Sequence, residues 1–181
     1  SIMILGLSVN WIAASLLGFT IIFYAIVYTI WLKRYTVQNI VIGGAAGAFP
    51  PVIGQVCASG TIGFESLILF LIIFVWTPPH FWALALIKKD DYVAAKIPML
   101  PIIAGETVTR KNIFIYSLLL VPCSYLPWVF DFSGNFYLII ATIFGIEFLR
   151  RSFLTLKEVE GSEKKLFLYS IFYLSIIFAG I

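Results

Sequence analysis

The stretch WTPPHFWALALIKKDDYVAAKIPMLP, Trp76 to Pro101, decides how the chain is read. It holds the only histidine, two prolines within an apolar run, the adjacent carboxylates Asp90 and Asp91, and the lysines Lys88, Lys89 and Lys96. All of them sit where an apolar segment reaches water. Glu65 to Ile87 is long enough to cross a bilayer as a helix, which sets the KKDD cluster at its aqueous mouth and His80 about two turns deeper. An ionisable side chain at that depth is a functional candidate by default.

Working outward, 61% of the residues are hydrophobic and 12% are charged, with a positive mean hydropathy. A soluble domain of this composition would have too little polar surface to show water. The expected fold is an all-α polytopic membrane protein, with residues 1–181 forming a single transmembrane domain. The opening SIMILGLSV is apolar but too short to span, so it is expected to be a partial first helix of an N-terminally shortened chain; the last run is apolar to the final residue, and the C-terminus is expected to be cut as well. Six full spans are expected after it: Trp11 to Trp31, Ile40 to Ala58, Glu65 to Ile87, Ile113 to Phe130, Phe136 to Leu154 and Lys165 to Ile181. Trp11, Tyr28 and Trp31 lie near the ends of the first full span, where interfacial aromatics belong.

Within the second, Gly43, Gly47 and Gly54 recur at helical spacing and leave a face on which another backbone can approach. Pro50 and Pro51 should interrupt its hydrogen-bond ladder, as Pro78 and Pro79 should in the third. The carbonyls so freed need partners from protein or water, so both helices are expected to line a cavity. Lys88 to Asn112 reads as a long polar loop. Cys57 and Cys123 have no metal-site or redox spacing and read as small buried hydrophobes.

The cations give an orientation. Lys33 and Arg34 flank the loop after the first full span, five more lie between Lys88 and Lys111, and five between Arg150 and Lys165, which accounts for all twelve. The alternate loops have none. This is the positive-inside pattern, and it places the charged loops in the cytoplasm or a mitochondrial matrix, with a bacterial cytoplasmic membrane preferred.

Each feature also has a structural explanation. A KKDD run at a helix end is commonly a solvated, self-neutralising cluster. If its helix continues, His80 shares a stripe with Leu84 and Asp91; a neutral imidazole bonded to a carbonyl freed by Pro78 and Pro79 is an equally sound account. Glu147 lies inside a span with Arg151 four residues on, and the pair reads as structural.

Two long strings, YTIWLKRYTVQNIVIGGAAGAFPPVIG (Tyr28 to Gly54) and the Trp76 to Pro101 stretch, resemble signature segments of the protoheme IX farnesyltransferases, or heme O synthases, a branch of the UbiA-type intramembrane prenyltransferases. That resemblance implies a nine-helix fold whose first two helices and part of the third lie upstream. It implies transfer of the farnesyl group of farnesyl diphosphate to a vinyl group of heme B, giving heme O and diphosphate, with heme B as substrate and Mg²⁺ as cofactor. It further implies Asp91 and Tyr92 as the second acidic motif, with Asp90 as an accessory carboxylate. Asp90 and Asp91 would hold Mg²⁺ together with a first acidic motif outside this sequence. Lys33 and Arg34 would contact diphosphate, with Asn39, Lys88 and Lys89 as further substrate contacts and His80 on the heme side. Relatives acting on quinone precursors carry DxxxD in the second motif; here Ala94 and Ala95 follow Asp90 and Asp91 at that spacing, leaving one carboxylate pair absent. The implied partners are the lipid bilayer and an oxidase or heme A synthase, and nothing points to nucleic acid. The competing readings are a UbiA-type enzyme for a quinone precursor and a non-catalytic heme-handling transporter.

Overall fold

A computed structural model describes residues 1–181, apart from the side chain of Arg34. Every regular element among the described residues is a helix, and the chain divides into two compact units, Ser1–Phe74 and Val75–Ile181.

In the first unit α1 (Ile2–Ser8) is a short opening helix. Val9 caps it, and Asn10 starts α2 (Trp11–Ile22): its Oδ1 accepts from the amide of Ala13 at 2.7 Å, an N-cap that satisfies one orphan donor. The Asn10 Nδ2 donates to the carbonyl of Val56 at 2.8 Å and ties α2 to the later helix that carries Val56. Without interruption α2 runs on as a π-helical segment, Phe23–Leu32, in which Thr29 Oγ1 donates five residues back to Tyr24. A single turn, α3 (Lys33–Tyr35), ends this arm. The next span is split, as expected: α4 (Asn39–Ala48) stops before Phe49 and α5 (Pro50–Ser59) starts with both prolines in its first turn. There a missing N–H costs nothing, because first-turn amides have no intrahelical acceptor. Gly60, at φ 76°, closes α5 in the left-handed region open to glycine.

The glycine face behaves differently from the expectation. Gly43 is met by the ring of Tyr28 rather than by a backbone, while Gly47 and Gly54 face open space. Tyr28 therefore packs on α4, while Trp11 and Trp31 are exposed, at 55% and 61%.

The long helix α6 (Phe64–Ile87) carries Pro78 and Pro79 without being broken. The second unit continues with α7 (Lys89–Ala94), α8 (Leu100–Ile103), α9 (Glu106–Cys123), α10 (Leu126–Val129), α11 (Asn135–Leu156) and α12 (Ser162–Gly180). The region expected to be a long polar loop thus holds two short helices and the first turns of α9. Helices α9, α11 and α12 pack together around Ile113, Leu120, Phe148, Leu166 and Ile177, all fully buried. A buried polar knot fastens them: Tyr173 donates to Ser124 Oγ at 2.8 Å and Tyr137 to the Ser124 carbonyl at 2.7 Å. Satisfied in this way, the three groups avoid the cost of unpaired polar atoms in an apolar interior.

Four segments are long and apolar enough to cross a membrane: Trp11–Leu32, Asn39–Ser59, Phe64–Ile87 and Glu106–Val129. The chain is an integral membrane protein. The other two expected spans exist as helices of 22 and 19 residues, but charges at one end of each, Glu147, Arg150 and Arg151 on α11 and Glu163, Lys164 and Lys165 on α12, shorten their apolar runs. Both cysteines are free and half-buried.

Candidate functional site

His80 is 8% exposed and sits between two rings. Trp76 stacks on one face at 4.3 Å between centroids and Phe167 on the other at 4.8 Å, with Phe81 edge-on at 5.0 Å. One turn separates Trp76 from His80 on α6, so the helix itself stacks them. Phe167 and Ser170 come from α12. Ser170 holds both α6 side chains: its carbonyl accepts from Trp76 Nε1 at 2.8 Å, and its Oγ lies 2.6 Å from His80 Nδ1.

The tautomer follows from proton bookkeeping. The single hydroxyl proton of Ser170 is donated to the carbonyl of Phe167 at 2.6 Å. Toward the imidazole the same oxygen must then accept, so Nδ1 carries the proton and Nε2 keeps its lone pair. Neither sequence account of His80 survives. Its partner is a hydroxyl from another helix rather than a proline-freed carbonyl. The stripe to Asp91 is also lost, because α6 ends at Ile87 and Lys88, at φ −107° and ψ 28°, turns the chain before α7 begins.

Asp90 and Asp91 occupy the first turn of α7, where carboxylates complement the helix dipole. Both are exposed. Asp91 pairs with Lys88 at 3.2 Å, while Lys89 turns away to Glu106 at 2.8 Å. Glu106 also meets Arg110 at 3.2 Å, and Arg110 reaches Glu163 at 2.9 Å and Glu158 at 3.5 Å. The KKDD run is thus anchored to α9, the loop after α11, and α12. Tyr92 is half-buried, and burial first, then the neighbouring Asp91 charge, raises its phenol above the ordinary tyrosine range. It therefore stays a proton donor at neutral pH.

Two carboxylates do not make a cation cage. Among the described residues no group of three or more His, Cys, Asp and Glu could hold a metal ion, and one of the two acids here is already paired with Lys88. These residues alone do not fit Mg²⁺, whose octahedral shell needs more oxygen donors.

In the first unit Asn39, 1% exposed, donates from Nδ2 to the carbonyl of Lys33 at 3.3 Å and leaves Oδ1 buried without a partner. It clamps the turn that carries Lys33, a side chain with no ion pair among the described residues. Arg34, its proposed companion, has its side chain outside the described residues. Glu147 pairs with Arg151, as expected, and with Arg150 too, each at 2.6 Å. Sequence reasoning missed Ser170, Phe167, Glu106 and Arg110, whose roles depend on residues 17 to 94 positions away in the chain.

Residues 1–177 match the UbiA prenyltransferase family. The chain belongs to that family. Among curated relatives, one from Mesorhizobium japonicum named protoheme IX farnesyltransferase 1 is 55% identical over all of this chain and 59% of its own length. Proteins named protoheme IX farnesyltransferase from Brucella ovis and Brucella anthropi are each 52% identical over 99% of the chain and 59% of theirs. The chain therefore spans about three-fifths of the length of the UbiA relatives it matches. No solved structure is significantly similar to it.

Proposed function

We propose that this chain works as part of a protoheme IX farnesyltransferase, transferring the farnesyl group of farnesyl diphosphate to a vinyl group of heme B. The observation that carries the reading is the 52–55% identity, along the whole chain, to relatives of that name. In the reaction the allylic C–O bond breaks with its electron pair leaving on diphosphate. The vinyl π pair forms the new C–C bond, and the cation left beside the porphyrin takes hydroxide from water, giving heme O and one proton.

Each part of that chemistry has a candidate residue. Lys33 and Arg34 are read as diphosphate contacts, with Asn39 shaping their turn and Lys88 and Lys89 adding positive charge at the mouth of α6; cations there stabilise the departing anion. Asp91 and Tyr92, with Asp90, form the acidic segment. A divalent metal, Mg²⁺ on this reading, would need carboxylates beyond Asp90 and Asp91. His80 is read as the heme-side residue, with the lone pair of Nε2 as its contact. The family match over residues 1–177 supports treating the two units as one prenyltransferase domain. The charged loops face the cytoplasm of a bacterial inner membrane, and the partners are an oxidase or the heme A synthase that consumes heme O.

The test is acceptor choice. With labelled farnesyl diphosphate and the protein in native membranes, heme B should capture the label and a hydroxylated aromatic acid should not. Labelling of the aromatic acid would assign the chain to quinone precursors instead. Heme binding without transfer would make it a heme carrier.

A further inference from the structure

Between the end of α11 and the start of α12 lies a cleft of about 280 Å³ lined by Arg150, Arg151, Leu154, Glu160, Ser162 and Lys165. Its charge is unbalanced. Glu147 accepts from both arginines, but one carboxylate cannot neutralise two guanidiniums. Lys165 and Glu160 make no ion pair among the described residues. Three cations therefore face two acids, Glu147 and Glu160.

A second feature borders the same space, since Ser162 is one of the residues that line it. Ser162 is 4% exposed, and its Oγ is buried with no hydrogen-bond partner. It is the first residue of α12, a 19-residue helix; its own amide donates to the Val159 carbonyl at 3.0 Å, and the next amides of the first turn carry positive partial charge with no intrahelical acceptor. A buried hydroxyl without a partner, at a helix N-terminus and beside three cations, is a set of donors waiting for an anion.

The surroundings specify what carries that anion. Ile139, Ile143, Ile146 and Phe153 on α11 are 44–61% exposed and share one stripe with Arg150. An apolar track that ends on cations suits an acyl chain ending in a phosphate. We propose that this cleft binds the phosphate headgroup of an anionic phospholipid, with Arg150 and Lys165 as its charge partners, Ser162 as its buried donor and the α11 stripe under its acyl chains. Neither His80 nor any residue of α7 lines the cleft, and the proposal does not depend on the prenyltransferase reading.

The test uses the detergent-solubilised protein, with bound lipid measured by native mass spectrometry during titration with phosphatidylglycerol or phosphatidylcholine. Phosphatidylglycerol should bind about tenfold more tightly: both headgroups carry the phosphate, but phosphatidylcholine also carries a choline cation that Arg150, Arg151 and Lys165 repel. Lys165→Gln should remove most of that advantage, since it deletes the cleft's one cation without an ion pair among the described residues, with an unchanged thermal unfolding temperature. Ser162→Ala separates binding from folding: it should weaken phosphatidylglycerol binding several-fold while leaving lipid-free stability level or higher, because an unsatisfied buried hydroxyl is deleted. Equal binding of the two lipids, or affinity unchanged in both variants, would overturn the proposal. Displacement of phosphatidylglycerol by millimolar inorganic phosphate or diphosphate would overturn the lipid assignment in favour of a soluble anion, and failure to displace it supports the lipid.

Discussion

Nδ1 of His80 on α6 donates to Oγ of Ser170 on α12 at 2.6 Å, and the Ser170 hydroxyl passes its own proton on to the Phe167 carbonyl. That chain fixes the imidazole tautomer from ninety residues away. It joins a helix that carries a motif to a helix that carries none.

Removing the hydroxyl should be felt in both stability and activity. Ser170→Ala leaves a buried N–H without an acceptor, at a cost of about 1–3 kcal/mol, readable as a lower unfolding temperature in detergent. It also frees the ring to rotate or change tautomer, so heme-dependent prenyl transfer should fall by about 10- to 100-fold, the upper figure being the cost of misplacing a reacting group by about 1 Å. Ser170→Thr, which keeps the hydroxyl, should recover most of the transfer. Wild-type rates in Ser170→Ala would remove His80 from the heme side.

The two helix-interior glycines Gly43 and Gly47 should respond in opposite ways. A Cβ at Gly43 runs into the ring of Tyr28, and relieving such overpacking costs about 1–3 kcal/mol. Gly47 faces open space, so Gly47→Ala should be neutral or stabilising by up to about 1 kcal/mol through helix propensity. Unfolding temperatures of the two alanine variants, compared side by side, check this; equal losses would contradict the packing described for Tyr28.

The anchoring of α7 is electrostatic and partly solvated. Lys89 and Glu106 are each 40% exposed in their side chains, so a double-mutant cycle with alanine at both should give a coupling below about 1 kcal/mol. Arg110, only 13% exposed and facing three carboxylates, matters more. Arg110→Ala should speed amide exchange across Lys89–Ala94 and α12's first turn, whereas Lys89→Ala should affect α7 alone.

Much of this architecture was legible in the sequence, because the terms that dominate in lipid are local. Hydropathy and cation placement located the helices and their loops. What was not legible shows where local rules stop. The dipeptides Pro50–Pro51 and Pro78–Pro79 are identical, yet only the first divides a helix. The first follows IGGAAGA, whose glycines support a helix poorly. The second follows bulky apolar residues in a segment pinned to α12 through Trp76. The Asp91 stripe failed for a similar reason: one residue, Lys88, left helical geometry, and every periodicity beyond it lost phase. In the candidate site the motif residues were visible but their partners were not, since Ser170 and Phe167 lie in a helix that otherwise reads as an ordinary span.

The acidic segment carries its own prediction. Asp91 is exposed and paired only with Lys88, so Asp91→Asn should leave the unfolding temperature nearly unchanged. If Asp91 contributes to diphosphate departure, prenyl transfer should nevertheless drop about 100-fold, the scale of losing one charge-stabilising group at a reacting centre. Folding and rate measured on the same preparation separate the two.

The most direct measurement is the mass of the product. The protein, expressed from its own gene in bacterial membranes, is supplied with heme B, farnesyl diphosphate and Mg²⁺, and the porphyrins are extracted and resolved by chromatography and mass spectrometry. A heme heavier by one farnesyl and one hydroxyl group, lost in His80→Ala and in Asp91→Asn, is the predicted result. Unmodified heme B recovered from correctly folded protein, with farnesyl diphosphate unconsumed, would contradict the account.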